Sequence, residues 1–438
     1  MPHESGLMPS RRAFSRSIAR LTLSTLFGGL SGISGCSTTA NNTIAPTTLP
    51  SPVEPGTSLL LWHGWSGTDR RALGQIVERF NRQHSANTVV LQSVPLATFA
   101  TELGTAVAAG SGPHLMLIPH TWLGSLGREV LLALEPTVPF ERTAMLTSTL
   151  GAAQMSYEGQ AQFFGAPLRF DSLALYYNTA NVLALPADTL SMFESARGLS
   201  APDAQPPVWG FALNMALDIT ISYLYAFGSR IFDETGTLVL GSSGRAGAEQ
   251  WLTWLQTLAN DPRMFIRPES SILVDQELRS GHALMTFDWA HRLTQYQALW
   301  GEKCGVGTLP QLTETRQAPR ASVYVDILAL NGRLAGRDYE RALEFVAYAT
   351  AEEAQLILLN NAIQPARRTA LTDSALHRIA QTFRNQAENG LPMPNMPDRE
   401  ILNQELRLMQ QQVLFGIASP GDAVSEADRR IRERLGLS

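Results

Sequence analysis

The 438-residue chain has little of several residue types, and each shortage excludes a class of protein. Lys303 is its single lysine and the net charge is −5, so the chain lacks the basic stripe typical of nucleic-acid-binding proteins. It has only two cysteines, Cys36 and Cys304, which excludes a disulfide framework. There is no Gly-rich loop ending in Gly-Lys-Ser/Thr, no His-Glu-x-x-His and no paired-cysteine spacing. The sequence therefore predicts no cofactor and no metal of those types.

The amino-terminal region also lacks a run long enough to span a membrane. Basic residues precede an uncharged stretch from Leu21 to Gly35, which is too short and too rich in glycine for a spanning helix. We interpret residues 1–35 as a secretory signal. Ser10-Arg11-Arg12-Ala13-Phe14 resembles a twin-arginine export signal, and the general secretory route stays open as the alternative.

The signal ends in Ile33-Ser34-Gly35-Cys36, which resembles a bacterial lipobox. This resemblance implies that Cys36 is acylated and becomes the first residue of the mature protein. Residues 36–57 are rich in Thr, Pro, Asn and Ser, so they bury too little apolar surface to fold and are predicted to be a flexible tether. The expected location is the periplasm or the outer face of the cytoplasmic membrane, and Cys304 is left without a disulfide partner.

The stretch from Leu59 to Pro136 has a βαβαβ pattern. Continuous apolar runs at 59–62, 89–94 and 115–118 predict strands that are buried on both faces. Two amphipathic helices lie between them, one with Leu73, Ile76, Val77 and Phe80 on its apolar face. Alternating strands and helices predict an α/β fold with a mainly parallel sheet.

Ligands of such sheets bind beyond the carboxyl ends of the strands. The aromatic, imidazole and hydroxyl groups expected at the ends of the first and third strands are Trp62, His63, Trp65, Ser66, His120 and Trp122. We therefore expect these six side chains to meet at one crevice.

The order of several short segments resembles the sugar-binding family of extracellular solute-binding proteins of ABC importers, which includes the maltose-binding proteins. The matching segments are AAGSGPHLMLI, GAPLRFDSLALYYN, GHALM followed by Trp289, CGVGTLP and MPNMP. This resemblance implies a two-lobed, class II periplasmic-binding-protein fold, with a hinge between the lobes and the ligand in the cleft. It places residues 58–166 and 290–331 in the amino-terminal lobe, and 167–289 and 332–438 in the carboxyl-terminal lobe.

The resemblance also implies which further side chains face the cleft. They come from the crossing strand, from a strand-to-helix junction, from the GHALM strand and from later loops: Arg169, Asp171, Asn214, Asp218, Asp288, Trp289, Tyr324, Asp326 and Arg367. Tyr324 and Asp326 stand where relatives usually carry a glycine-rich turn, so they are expected to narrow the pocket or contact a polyol. A sugar needs a flat aromatic under its C–H face and polar side chains around its hydroxyls, and these residues supply both.

The same residues could instead have purely structural roles. Arg169 and Asp171 could form a surface ion pair with each other, Asn214 or Asp218 could merely cap a helix, and any of the tryptophans could belong to the core. The resemblance implies a monomer without catalytic activity that delivers a disaccharide, an oligosaccharide or a glycosyl-polyol to a membrane permease. The competing hypothesis is a secreted enzyme.

Two enzyme classes are candidates under this competing hypothesis, an α/β-hydrolase and a glycosidase. LLLWHGWSG resembles the oxyanion loop of an α/β-hydrolase, but the Gly-x-Ser-x-Gly elbow that this fold requires is missing. Asp171 and Asp288 could form a glycosidase pair.

Overall fold

A computed structural model describes residues 58–134, 140–157, 160–369, 371, 374–396 and 398–437. The predicted signal, Cys36 and the predicted tether lie outside these residues. The described strands are β1 (Ser58–His63), β2 (Thr88–Ser93), β3 (Leu115–Pro119), β4 (Gln154–Tyr157), β5 (Gln160–Phe163), β6 (Ala166–Asn178), β7 (Ala212–Leu213), β8 (Phe265–Ile266), β9 (Met285–Trp289), β10 (Cys304–Gly307), β11 (Ser322–Leu330) and β12 (Leu391–Pro392).

The described α-helices are α1 (Gly67–Gln83), α2 (Leu96–Ala108), α3 (Leu123–Val130), α4 (Thr147–Ala152), α5 (Thr189–Leu199), α6 (Leu217–Ala226), α7 (Arg245–Ala259), α8 (Ser271–Ser280), α9 (Leu293–Trp300), α10 (Gly336–Thr350), α11 (Glu352–Asn360), α12 (Ala375–Glu388), α13 (Arg399–Leu414) and α14 (Pro420–Leu435). Among the residues that the structure describes, no helix combines the length and hydrophobicity that a membrane crossing requires.

The predicted βαβαβ unit is confirmed as β1-α1-β2-α2-β3, with β1 parallel to both β2 and β3. The prediction that all three strands are buried on both faces is wrong for β2, where Val90 is 50% exposed. The reason is position: β2 is the edge strand, so one of its faces is not covered. Ser66 occupies the N-cap position of α1, but its side chain makes no capping hydrogen bond.

The main sheet is mixed rather than mainly parallel. Its strand order is β10-β6-β11-β3-β1-β2, with β9 beside β6 and β12 beside β11. Strand β6 runs antiparallel to β9, β10 and β11. Strand β11 runs antiparallel to β3 and β6 but parallel to the short strand β12. The prediction of a mainly parallel sheet assumed right-handed crossovers between all strands. The hydrophobic pattern gave no sign of the connections that make neighbouring strands antiparallel.

Strand β6 joins two groups of strands. Its first half, residues 166–172, pairs with β11. Its second half pairs with β9 and β10. Pro167, which lacks a backbone N–H and has a fixed φ, lies near the start of this strand. The chain thus crosses between the two parts of the molecule along one continuous strand, as the resemblance implies.

Buried apolar side chains form three large clusters: two on opposite faces of the first three strands, which together we call the first core, and a third, which we call the second core. Leu59 and Leu61 pack with Phe80 on one face of the first three strands, and Leu60 packs with Phe99 on the other. Burying a side chain of this size contributes about 1.5–3 kcal/mol. The second core lies under α5, α6, α7, α13 and α14, with members such as Met192, Tyr223, Trp251, Met409 and Ile431.

The expected lobe boundary after residue 331 does not fit this packing. It places α10 and α11 in the carboxyl-terminal lobe, yet Phe345 and Leu358 belong to the same core as Leu59 and Phe80. The chain leaves β11 beside β3, and the helices that follow pack against the first core. Within the carboxyl-terminal part, α13 and α14 are the helices that join the second core.

Candidate functional site

An ion-pair network connects the loop after β1 with β6 and β11. The Nε of Arg169 donates to Oδ2 of Asp326 at 2.7 Å, and a terminal nitrogen of Arg169 donates to Oδ2 of Asp69 at 2.7 Å. The register of β6 and β11 places Arg169 opposite Asp326. The indole Nε1 of Trp65 donates to the same Oδ2 of Asp326 at 2.7 Å. The alternative that Arg169 pairs with Asp171 is therefore wrong.

The Arg169 guanidinium also covers one face of Trp65, with its central carbon 4.8 Å from the ring centroid. Burial lowers the pKa of Arg169, but the carboxylates of Asp326 and Asp69 raise it more, so the net pKa lies above the ordinary value. Arg169 is a permanent cation whose charge is already matched. Because the guanidinium covers it, this face of Trp65 is not available to a ligand.

A second ion pair, between His291 and Asp171, lies at the end of β9. The Nδ1 of His291 lies 2.5 Å from Oδ2 of Asp171, and the backbone N–H of His291 donates to Oδ1 at 3.2 Å. The hydrogen bond from Asp171 raises the pKa of His291, against the opposing effect of burial. His291 was not predicted from the sequence. Its position two residues after Trp289, just beyond the carboxyl end of a strand, is the signal that could have found it.

Asp288, the residue before Trp289, is almost fully buried. Its Oδ1 accepts from the backbone N–H of Trp289 at 2.8 Å, and its Oδ2 accepts from the hydroxyl of Tyr296 at 2.7 Å. Burial raises the pKa of Asp288, and these two hydrogen bonds oppose that shift. Both carboxylate oxygens are thus engaged within the protein.

The ring of Tyr324 contacts the rings of both Trp289 and His120. The ring centroids of Trp289 and Tyr324 are 5.1 Å apart, and those of Tyr324 and His120 are 6.0 Å apart. Burial raises the pKa of Tyr324 to about 12, so its hydroxyl keeps its proton at neutral pH. Trp289 is 9% exposed and also contributes to the second core.

The imidazole of His120 is completely buried and makes two hydrogen bonds. Its Nδ1 accepts from the backbone N–H of Val325 at 3.1 Å, and its Nε2 donates to the carbonyl of Met393 at 3.0 Å. Burial lowers the pKa of His120 to about 4, which keeps the ring neutral. His120 therefore supports Tyr324 rather than offering a free nitrogen.

Two cavities adjoin these groups, and we name each after one residue that lines it. The Gln364 cavity has a volume of about 290 Å³, and its polar lining includes Ser66, Asp69, Arg169, Asp171, His291 and Gln364. The Trp289 cavity has a volume of about 160 Å³, and its lining includes Asn214, Asp218, Asp288, Trp289 and His291. His291 lines both, so the two cavities share this side chain as part of their walls.

At the strand-to-helix junction, the side chains line the Trp289 cavity without capping the helix. The N-cap residue of α6 is Ala216, so the alternative that Asn214 or Asp218 is the N-cap is wrong. The Oδ1 of Asn214 accepts from the backbone N–H of Ala216 at 3.0 Å. Burial raises the pKa of Asp218.

The structure thus brings some of the expected residues together and assigns others to supporting roles. Seven of them line one of the two cavities: Ser66, Arg169, Asp171, Asn214, Asp218, Asp288 and Trp289. Trp65, His120, Tyr324 and Asp326 lie directly behind them, as described above. Asp69 and Gln364 join His291 as lining residues that the sequence did not indicate.

The remaining expected residues lie elsewhere. Trp62 is a core residue that packs against Phe99 and donates through Nε1 to Gln92 at 3.0 Å. Trp122 also packs on Phe99, with centroids 5.6 Å apart. His63 is 1% exposed, and burial lowers its pKa.

Arg367 is held by Glu141 and Glu352, away from both cavities. Among the described residues, no group of three or more His, Cys, Asp or Glu side chains is arranged to hold a metal ion.

A strand that crosses between two cores, with polar and aromatic side chains lining cavities along the crossing segments, defines a two-lobed binding protein. The chain belongs to the family of bacterial extracellular solute-binding proteins, whose pattern matches residues 75–383. Members of this family are binding proteins, and its name places them outside the cytoplasm. None of the curated proteins matches the sequence.

Several solved structures share the fold. A cyclo/maltodextrin-binding protein in complex with maltotetraose has 21% identity and a TM-score of 0.74, over 88% of this chain and 99% of that chain. The maltose/maltodextrin-binding domain from Bdellovibrio bacteriovorus, bound to maltotriose, has 19% identity and a TM-score of 0.67, over 86% and 100%. An extracellular solute-binding protein from Staphylococcus aureus, in complex with maltose, has 16% identity and a TM-score of 0.71, over 88% and 99%. At these identities the likeness shows the two-lobed fold.

Proposed function

We propose that this protein captures a neutral sugar or a glycosyl-polyol in the cleft between its lobes and delivers it to an ABC permease. The observation that carries the proposal is the Trp289 cavity, where an indole lies beside the amide of Asn214 and the carboxylates of Asp218 and Asp288. An aromatic face with hydrogen-bonding groups around it suits the C–H face and the hydroxyl rim of a sugar ring. Maltose or maltodextrin ligands in the fold relatives support the same ligand class.

The carboxylates favour binding over hydrolysis. A glycosidase needs one carboxyl group free to protonate the leaving oxygen and a second free to act as nucleophile or base. Asp288 already binds the Tyr296 hydroxyl and the Trp289 N–H, and Asp171 already binds His291. Glycoside hydrolysis by either carboxylate would first require these hydrogen bonds to break. We therefore propose that the ligand leaves unchanged.

The test is a thermal-shift and calorimetry panel of mono-, di- and trisaccharides, glycosides and polyols, with product analysis of every hit. Saturable stabilisation with the ligand recovered intact is expected, because a ligand that binds only the folded state raises the melting temperature. Recovery of a cleaved ligand would instead indicate an enzyme. If no compound in the panel bound, carbohydrates would be excluded as the ligand.

We further propose that the protein is a monomeric lipoprotein, tethered through Cys36 and residues 36–57. Delivery to a permease in the same membrane supports a tether, because it keeps the folded part near its partner. Mass spectrometry of the mature amino-terminal peptide is expected to show acylated Cys36, and Cys36→Ser is expected to release the protein from membranes. An unmodified amino terminus at another residue would contradict the lipid anchor.

A further inference from the structure

The side chain of Gln364 is 3% exposed, and its Nε2 has no hydrogen-bond partner among the described residues. Its backbone is fixed beside β6, because its carbonyl accepts from the N–H of Phe170 at 2.9 Å and the next residue, Pro365, pairs with Arg169. A buried amide nitrogen that lacks an acceptor loses stability, and native proteins rarely leave one unpaired without a reason. Here the reason is visible: Gln364 lines a cavity.

The Gln364 cavity can hold a small group. Its volume of about 290 Å³ lies near the lower end of small-molecule sites, which run from about 300 Å³ upwards. The hydroxyl of Ser66 also lines it, and this hydroxyl makes no capping bond to α1. A hydroxyl can both donate and accept, whereas the Nε2 of Gln364 can only donate. The cavity therefore offers donors and acceptors to one guest.

The charges around the cavity favour a neutral guest. Arg169 is paired with Asp69 and Asp326, and His291 is paired with Asp171. A carboxylate or an ammonium group on the guest would find each opposite charge already matched and would pay for its own desolvation. Hydroxyl groups meet no such cost, since they exchange water for the amide, hydroxyl and carboxylate groups of the wall.

The lining also sets the shape of the guest. Phe170 lines the Gln364 cavity and Trp289 lines the neighbouring one, so the larger aromatic face belongs to the Trp289 cavity. A sugar ring that stacks on an indole therefore suits the Trp289 cavity. A second unit joined to that ring would pass His291, the side chain that lines both cavities, to reach Gln364.

We propose that the Gln364 cavity is a subsite for a second, neutral and hydroxyl-rich unit of the ligand, with Gln364 Nε2 as a hydrogen-bond donor to it. This inference rests on the proposed function of carbohydrate binding and narrows it to ligands of two units, a disaccharide or a glycosyl-polyol. Gln364 is then a specificity-determining residue that distinguishes two-unit ligands from single rings.

The test compares Gln364→Leu with the wild type by calorimetry on the full chain as processed by its host. The one-ring probes are methyl glucopyranosides and methyl galactopyranosides, and the two-unit probes are maltose, trehalose, sucrose, lactose and maltitol. For the best two-unit probe, Gln364→Leu is expected to raise Kd about 3- to 10-fold, the effect of one neutral hydrogen bond. Affinity for one-ring probes is expected to change less than about 2-fold.

A second readout separates this role from a structural one. Without ligand, Gln364→Leu removes an unpaired buried donor, so the melting temperature of the free protein is expected to stay the same or to rise. The matched control is Gln381→Leu on the exposed side of α12, which is expected to leave every Kd unchanged.

Several results would overturn the inference. A drop in the melting temperature of free Gln364→Leu would assign the amide to the fold, and equal weakening of all probes, or none, would remove its selectivity. Wild-type protein that binds one-ring probes as tightly as two-unit probes would lack the subsite while still supporting the proposed function. Wild-type protein that binds none of these probes would reject the two-unit subsite, and binding of none of the wider carbohydrate panel would reject the proposed function as well.

Discussion

His291 and Asp171 lie 120 positions apart in the chain, and their side chains meet in the wall of the Gln364 cavity with Nδ1 2.5 Å from Oδ2. One residue follows the end of β9 and the other lies in the crossing strand β6. The pair thus links the segments along which the chain passes between its two cores. Its charge state affects both walls of the proposed ligand site.

This pair predicts a pH dependence with a defined sign. The pKa of His291 is raised in the folded protein, so the pair contributes its full stability below the ordinary histidine pKa of 6.5. That contribution is lost as the pH rises through the raised pKa. Relative to His291→Gln, the wild type is expected to be more stable at pH 6 by up to about 1 kcal/mol, because the histidine is half exposed. The difference is expected to shrink by pH 9, as measured by urea unfolding.

A matched control uses another histidine-carboxylate pair, His282 with Glu277 at 2.9 Å. His291 lines both cavities and His282 lines neither, so His291→Gln is expected to weaken ligand binding and His282→Gln to leave it unchanged. If His291→Gln and His282→Gln changed affinity alike, the cleft position of His291 would have no special role.

Trp289 serves both the second core and the Trp289 cavity. We expect Trp289→Ala to weaken ligand binding by about 1–3 kcal/mol and to destabilise the free protein by about 3–5 kcal/mol through the space it leaves. Trp251, which is fully buried and donates to the carbonyl of Thr220, is the control. The variant Trp251→Phe is expected to lower the melting temperature without changing Kd. Unchanged affinity in Trp289→Ala would make Trp289 a core residue only.

The Arg169 network predicts unequal costs for its two carboxylates. Asp326 accepts from both Arg169 and Trp65 and is well buried, whereas Asp69 accepts from Arg169 alone and is more exposed. We expect Asp326→Asn to destabilise by about 2–3 kcal/mol and Asp69→Asn by about 1 kcal/mol or less. Urea unfolding at pH 7 measures both. Equal costs would show that the shared oxygen of Asp326 is not the centre of the network.

Gly210 predicts a steric cost that depends only on packing. A Cβ at this position would lie 1.9 Å from the carbonyl oxygen of Ala196. Gly210→Ala is therefore expected to destabilise by about 1–3 kcal/mol or more. Gly198, inside α5, has open space around the same added atom. The variant Gly198→Ala is expected to stabilise the helix by up to about 1 kcal/mol, and a loss at Gly198 as large as that at Gly210 would contradict the packing argument.

Local patterns in the sequence were sufficient to predict several of the strands and helices. The apolar runs at 59–62 and 115–118 are strands, the stripe of Leu73, Ile76 and Phe80 is the buried face of α1, and the segment with Pro167 is the crossing strand. These features depend on neighbours within a few residues, where side-chain periodicity and backbone preference act directly. The order of such segments was enough to indicate the family.

What each side chain does was decided by the tertiary structure. Trp62, Trp65 and Trp289 all lie within two residues of the end of a strand. Yet Trp62 is core, Trp65 lies under a guanidinium and Trp289 lines a cavity. His291, Asp69 and Gln364 line a cavity without a motif to mark them. Pairings such as Asp171 with His291 or Asp326 with Arg169 depend on strand register over more than a hundred residues. Sequence periodicity tells which face of an element is apolar, but only the assembled sheet determines which polar groups meet.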